Sequence, residues 1–151
     1  TAYAKAQFGA RQRLPKEGIV FISVMDSHKK AVLPIAAQFK RLGFDILATA
    51  GTSEFLSRHD IENSKINKVS LGRPDVVDAI KNGEIQMVIN TGTGTDARRD
   101  GYQIRRAALK FQLPYTTTIA GALAACKAIT ALKEKKLSVK SIQEYNKRPY
   151  N

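Results

Sequence analysis

Two stretches of the chain gather groups able to hold an anion. In Ile85-Gln-Met-Val-Ile-Asn-Thr-Gly-Thr-Gly-Thr95 an apolar run (Met87, Val88, Ile89) ends abruptly in an amide, three threonines and two glycines. Ala48-Thr49-Ala50-Gly51-Thr52-Ser53 repeats that pattern after Phe44, Ile46 and Leu47. Glycine lets backbone N–H groups come close to a ligand, while the hydroxyls and the Asn90 amide supply donors. Either stretch alone is also an ordinary turn composition. Together, each following an apolar run, they suit a phosphate held beyond the carboxyl ends of strands.

Other groups fall on the same expected rim: Ser23 to Lys29, Thr49 to Thr52, Lys68, Asn90 to Thr95, and Thr116 to Thr118. Lysines act on phosphate as point charges, and hydroxyls and backbone N–H groups hold its oxygens directionally. Asp100, early in its helix, can accept from a ribose hydroxyl or complement the helix dipole. His28 and His59 have no sequence partner that would make them bases or ligands, and both are expected on the surface. G-x-x-x-x-G-K-[ST] is absent, as is G-x-G-x-x-G after a strand. Ser-His-Asp, Cys-His and paired-carboxylate arrangements cannot be composed either. Cys126 stands in an Ala-rich helical run and reads as a small buried hydrophobe.

Alternating elements must position these groups. Residues 1–17 read as a short Ala-rich helix ending at Gly9 and a polar, Pro-containing connector, the tail of something upstream. The first strand is Ile19 to Val24, apolar throughout as in a parallel sheet buried on both faces. Asp26 or Ser27 can cap the next helix, whose apolar positions Ala31, Val32, Ile35, Ala36, Phe39 and Leu42 keep a helical period up to Gly43. Pro34 requires a kink there or a later start. A second strand (Phe44–Thr49), a short helix through Phe55 and Leu56, and a third strand (Ser64–Val69) follow. Pro74 is placed at the first position of a helix ending at Gly83. The fourth strand carries the Asn90 loop, and the next helix buries Ile104, Ala107, Ala108 and Phe111. Tyr115–Thr118 is a fifth strand, and Ala120–Leu132 a last helix. Residues 133–151 are polar and basic, with Val139 and Ile142 able to add a small terminal element. This order predicts a three-layer α/β fold, a Rossmann-like five-stranded parallel sheet flanked by helices.

The 151 residues fit one domain able to bury a core, and 43% hydrophobic with 25% charged residues argues against bulk disorder. The net charge of +12 admits nucleic acid, membranes or small acidic ligands as partners. Its distribution decides among them. Much of the excess lies at the ends, in Lys5, Arg11, Arg13 and Lys16 at one and in Lys133, Lys135, Lys136, Lys140, Lys147 and Arg148 at the other. No basic stripe interleaved with aromatics appears, so nucleic acid is not the expected partner. No apolar run approaches a membrane span, and a cytoplasmic setting without membrane partners is expected.

The combination of segments resembles a known family. Phe21-Ile-Ser-Val, Lys29, Gly43-Phe44, Ala48-Thr49-Ala-Gly51-Thr52, Asn67-Lys68-Val69, Gly72-Arg73-Pro74, Ile80-Lys81-Asn82-Gly83-Glu84, Val88-Ile89-Asn90-Thr91 and Ile104-Arg105-Arg106-Ala107 are similar to the methylglyoxal synthase-like domain that ends the large subunit of carbamoyl-phosphate synthase. Ala4-Lys5-Ala6-Gln7 looks like the end of the preceding ATP-grasp half. The resemblance implies a tail and linker over 1–17 and the allosteric domain over 18–151, in a fragment that is itself non-catalytic. The whole enzyme would be an ATP-dependent, glutamine-hydrolysing ligase serving pyrimidine and arginine biosynthesis. ATP with Mg or Mn would belong to its catalytic domains, with no cofactor in this one.

The implied ligand is a nucleotide monophosphate effector of the UMP or IMP class. Lys29, Thr49, Thr52, Lys68, Asn90, Thr91 and Thr93 would hold its phosphate, and Ser23, Asp100 and Thr118 would lie near the nucleoside. Thr117 matches a position facing the ornithine site in ornithine-responsive members. Gly92 departs from enteric-type members, which carry a hydroxyl residue there; Thr91 or Thr93 would compensate. The implied partners are the ATP-grasp domains, the small glutaminase subunit and a holoenzyme oligomer. The alternative is a free methylglyoxal synthase acting on dihydroxyacetone phosphate. Against it, Met25 and Arg99 stand where such enzymes have histidines, and the glycine-rich approach to a catalytic aspartate is missing before Asp75.

Overall fold

A computed structural model describes residues 14–69, 72–92 and 95–147, the side chains of 95–100 and 136–147 excepted. Five strands, β1 (Ile19–Ser23), β2 (Asp45–Ala48), β3 (Ser64–Lys65), β4 (Met87–Asn90) and β5 (Tyr115–Thr116), form one sheet in the order β3-β2-β1-β4-β5. Every pairing is parallel. Helices α1 (Lys29–Arg41), α2 (Ala50–Arg58), α3 (Val76–Lys81), α4 (Thr95–Lys110) and α5 (Ile119–Lys147) connect the strands and close the chain.

The side-chain period of a strand divides the interior into two cores. Val20, Ile22, Ile46, Ala48, Met87 and Ile89 face one side with Val32, Ile35, Ala36 and Phe39 of α1 and Ala122, Ala125, Cys126 and Ile129 of α5. Phe21 and Val88 face the other with Val76 and Ile80 of α3 and Ile104, Ala107 and Ala108 of α4. The three-layer architecture is thus the expected one, and Cys126 is the buried hydrophobe its neighbours suggested, its thiol pKa pushed up by burial.

Element ends differ from expectation where the partner is remote. Neither Asp26 nor Ser27 caps α1. Residues Asp26–His28 form a 3-10 turn, and α1 starts at Lys29 with His28 as N-cap and no side-chain cap bond. The helix does begin late, yet Pro34 still lies inside it, depriving the Lys30 carbonyl of its usual donor. β3 and β5 are two residues each, shorter than expected. Phe111, expected on the buried face of α4, follows that helix and is exposed. The last helix does not stop at Leu132 but continues to Lys147, absorbing the expected terminal element. The expected helix before Gly9 lies outside the described residues.

Gly43 ends α1 as expected, with φ +94°. Phe44 N–H donates to Phe39 C=O at 3.0 Å and Gly43 N–H to Lys40 C=O at 3.0 Å, a Schellman motif. The Lys133 ammonium reaches back from α5 to the Leu42 carbonyl and lies over the Phe44 ring.

Pro74 precedes α3 rather than opening it, across a cis Arg73–Pro74 bond. Asp75 is the N-cap: its carboxylate accepts Asp78 N–H at 3.0 Å, and the Asp78 carboxylate accepts Asp75 N–H at 3.0 Å. Arg73 donates to both Asp78 oxygens. These donors, Arg73 first, lower the Asp78 pKa to about 2. A carboxylate depressed by folding stabilises the fold above its unfolded pKa near 3.9, and that contribution is lost as pH falls toward about 2. Thermal stability is therefore expected to decline between about pH 4 and pH 2 less steeply in Asp78→Asn than in wild type, with the variant the less stable at pH 7. Parallel curves from scanning calorimetry would show that the depressed carboxyl does not act on folding.

Candidate functional site

Sheet order places β1 between β2 and β4, so the chain leaves β1 on one side and returns on the other. At such a switch point the loops diverge and open a crevice beyond the strand ends. Ser23 and Asn90 are the last register pair across β1 and β4, and Thr91 N–H donates to Ser23 C=O at 2.9 Å. The loop after β1 is then pinned from both sides. Val24 N–H donates to Thr52 Oγ1 at 3.2 Å, and Met25 N–H donates to Thr91 Oγ1 at 3.2 Å. Thr49, Thr52 and Thr91 are each 3% exposed or less.

The N-terminus of α2 opens into this crevice without its cap. Thr49 is the N-cap, but its hydroxyl donates to Ser23 Oγ at 3.0 Å and makes no bond to the helix's first turn. The first-turn N–H groups keep their partial positive charge. Against that turn stands a second positive group. Lys29 is 18% exposed at its side chain, and a Cβ added to Gly51 would lie 3.2 Å from its Nζ. Glycine leaves room for the ammonium to come close to the first turn. Asp26 Oδ1 is 2.5 Å from Nζ, and that hydrogen bond, with weaker help from Lys68 across the rim, lowers the Asp26 pKa. The Asp26 side chain is itself 93% exposed. An ammonium beside a helix N-terminus thus has an exposed carboxylate as its counterion.

The remaining candidates separate. Asn90 turns to the opposite face: its amide donates to Tyr115 Oη at 3.3 Å, and Tyr115 Oη donates to Gly101 C=O at 3.5 Å. Burial pushes the Tyr115 hydroxyl pKa up. Lys68 is exposed beyond β3. Thr117 and Thr118 are exposed past β5, and Thr118 Oγ1 accepts Gly121 N–H at 2.9 Å as a cap of α5. Thr93 and the side chain of Asp100 lie outside the described residues. Ser23, Lys29, Thr49, Thr52 and Thr91 do meet at the switch point, and Asn90 joins them through its backbone register with Ser23 only.

His28 is the residue that sequence reading missed. It is half-buried rather than fully exposed, and its Nδ1 is 3.0 Å from Thr91 Oγ1. The partners are 63 residues apart, so no local signal joins them. His59 is exposed as expected, tilted against the Phe55 ring. Asp26 also escaped, although an Asp followed by Lys three residues later is a readable ion-pair spacing. Among the described residues no group of three His, Cys, Asp or Glu side chains could hold a metal ion. No described helix is long and apolar enough to cross a membrane.

Known proteins share this chain's sequence over nearly its whole length. It is 53% identical to the carbamoyl phosphate synthase large chain, C-terminal section, of Methanopyrus kandleri, over 97% of this chain and 27% of that one. It is 49% identical to the carbamoyl phosphate synthase large chain of Archaeoglobus fulgidus, over 96% of this chain and 14% of that one. With the C-terminal section from Aquifex aeolicus the identity is 48%, over 96% of this chain and 28% of the relative. The chain therefore spans between 14% and 28% of the length of these relatives. Residues 31–117 match the model of the MGS-like domain, taking in four of the five strands and the loops after β2 and β4, and the chain belongs to that family.

Proposed function

We propose that this domain is the effector-binding part of a carbamoyl-phosphate synthase large subunit, taking a nucleotide monophosphate by its phosphate at the switch point. One observation carries the reading: the Lys29 ammonium lies against the uncapped N-terminus of α2 with only an exposed carboxylate to balance it. Two positive groups so placed favour a dianion between them. The α2 N–H groups would donate to the phosphate oxygens, Lys68 would add charge from the rim, Ser23 would shape the floor, and Thr52 would hold the loop after β1 in place through Val24. The phosphate would tie the loops after β1 and β2 together. An effector that binds one arrangement of those loops better shifts the larger protein toward it and alters carbamoyl phosphate synthesis. The preceding ATP-grasp domains and the glutaminase subunit are the partners this reading requires.

The alternative lyase asks for a free carboxylate base at Asp75. That carboxylate is 6% exposed and accepts Asp78 N–H, which favours the regulatory reading.

Thermal denaturation against uridine and inosine monophosphates, phosphoribosyl pyrophosphate, ornithine, dihydroxyacetone phosphate and inorganic phosphate tests the proposal. A ligand at a hundred times its dissociation constant stabilises by about 2.7 kcal/mol, a rise of several degrees. A selective rise with one nucleotide is expected. Equal response to every phosphate, or a response to dihydroxyacetone phosphate alone with turnover, would count against an effector site.

A further inference from the structure

We propose that His28 makes the anion pocket proton-dependent, so that anions bind more tightly as pH falls through the range where imidazole gains its charge. The inference rests on the phosphate reading of the pocket and names a residue that reading does not use.

The Thr91 hydroxyl has one proton and two lone pairs. One lone pair accepts Met25 N–H, and His28 Nδ1 stands 3.0 Å away on a side chain that leaves Thr91 3% exposed. A neutral ring whose Nδ1 is bare must receive the hydroxyl proton, and Thr91 then has nothing to donate. A protonated ring reverses the bond. Nδ1–H donates to the second lone pair, the Thr91 proton is released, and the turn that carries Asp26 and Lys29 gains a positive charge. If the neutral ring already carries its proton on Nδ1, the charge is still gained.

Asp26 shares the turn of His28, Lys29 and Lys30 open α1 directly after it, Lys68 acts on Asp26 from beyond β3, and Tyr115 is the titratable group on the strand beside β4. An anion seated between Lys29 and α2 adds a charge that favours protonation. By linkage, whatever the anion does for protonation, protonation does for the anion.

Sulfate is the probe, because its charge is constant between pH 8 and pH 6 whereas phosphate monoesters titrate within that range. Sulfate binding to the purified protein is measured by calorimetry at pH 8 and pH 6, at constant ionic strength. Wild type is expected to bind about tenfold tighter at pH 6, the scale of one added unit charge at close range in a partly solvated site. His28→Asn keeps an amide where Nδ1 stands but cannot be protonated, and is expected to bind equally at both pH values. An unchanged slope in His28→Asn overturns the role of His28 and leaves the pocket standing. Absence of sulfate binding in wild type at both pH values, with no response to any monophosphate, overturns the pocket itself and the inference with it.

Discussion

Phe39→Ala is expected to lower the unfolding free energy by about 3–5 kcal/mol, the range for deleting a buried phenyl ring. The ring is wholly buried in the core between the sheet and helices α1 and α5. It also meets Phe44 edge-on, with centroids 5.3 Å apart and planes at 90°. Phe39 and Phe44 occupy the two positions whose contact accompanies a Schellman cap, and the backbone bond from Phe44 N–H to Phe39 C=O lies beneath them. Alanine therefore removes core volume, an aromatic pair and the apolar half of the helix stop together. The melting temperature should fall by roughly 6–20 °C for a chain of this size. Denaturant titration checks the free energy directly, and a loss below about 1 kcal/mol would mean that α1 and α5 collapse into the space. The consequence reaches the rim, because the same helix carries Lys29 at its first position.

What the sequence makes legible is what short-range periodicity encodes. Val20 and Ile22 separate from Phe21, and Met87 and Ile89 from Val88, because a strand alternates its faces. Gly43 ends α1 because an αL residue is needed there. The failures share a different cause. Asp26 and Ser27 resemble caps, but Thr91, more than sixty residues away in sequence at the end of the adjacent strand β4, reaches His28 and the Met25 N–H, and the turn is fixed there. Asp75, not Pro74, starts α3, because a reciprocal pair with Asp78 satisfies two backbone donors. α5 runs past Leu132 because Lys and Glu favour helix even where the apolar stripe fades.

The candidate site shows the same limit at closer range. Residue type marks Thr49, Thr52 and Thr91 as possible oxygen ligands, yet a hydroxyl cannot be read as free from its type. Thr91 and Thr52 hold the backbone of the first loop, and Thr49 is bonded to Ser23. Most of the positive field comes from what no residue letter displays: an unfilled cap and the approach of an ammonium to a glycine.

That field assigns unequal weights to the two lysines. Lys29→Met is expected to weaken binding of sulfate or a nucleotide monophosphate by about 10- to 150-fold, the value of one hydrogen bond to a charged group of about 1.5–3 kcal/mol. Methionine keeps an unbranched apolar stem where the half-buried lysine stem packs, so the fold should be retained. The empty protein loses the Asp26–Lys29 ion pair, but with Asp26 93% exposed water and salt screen that pair and it contributes little to stability. It is also relieved of an ammonium against a helix N-terminus, so its melting temperature should change little. Lys68→Met is expected to cost only a few-fold, because an exposed charge is screened by water and salt. Calorimetric titration of both variants at two ionic strengths separates the cases. The Lys29 loss should persist at high salt and the Lys68 loss should fade. Equal, salt-sensitive losses would place the anion out on the rim, away from the first turn of α2.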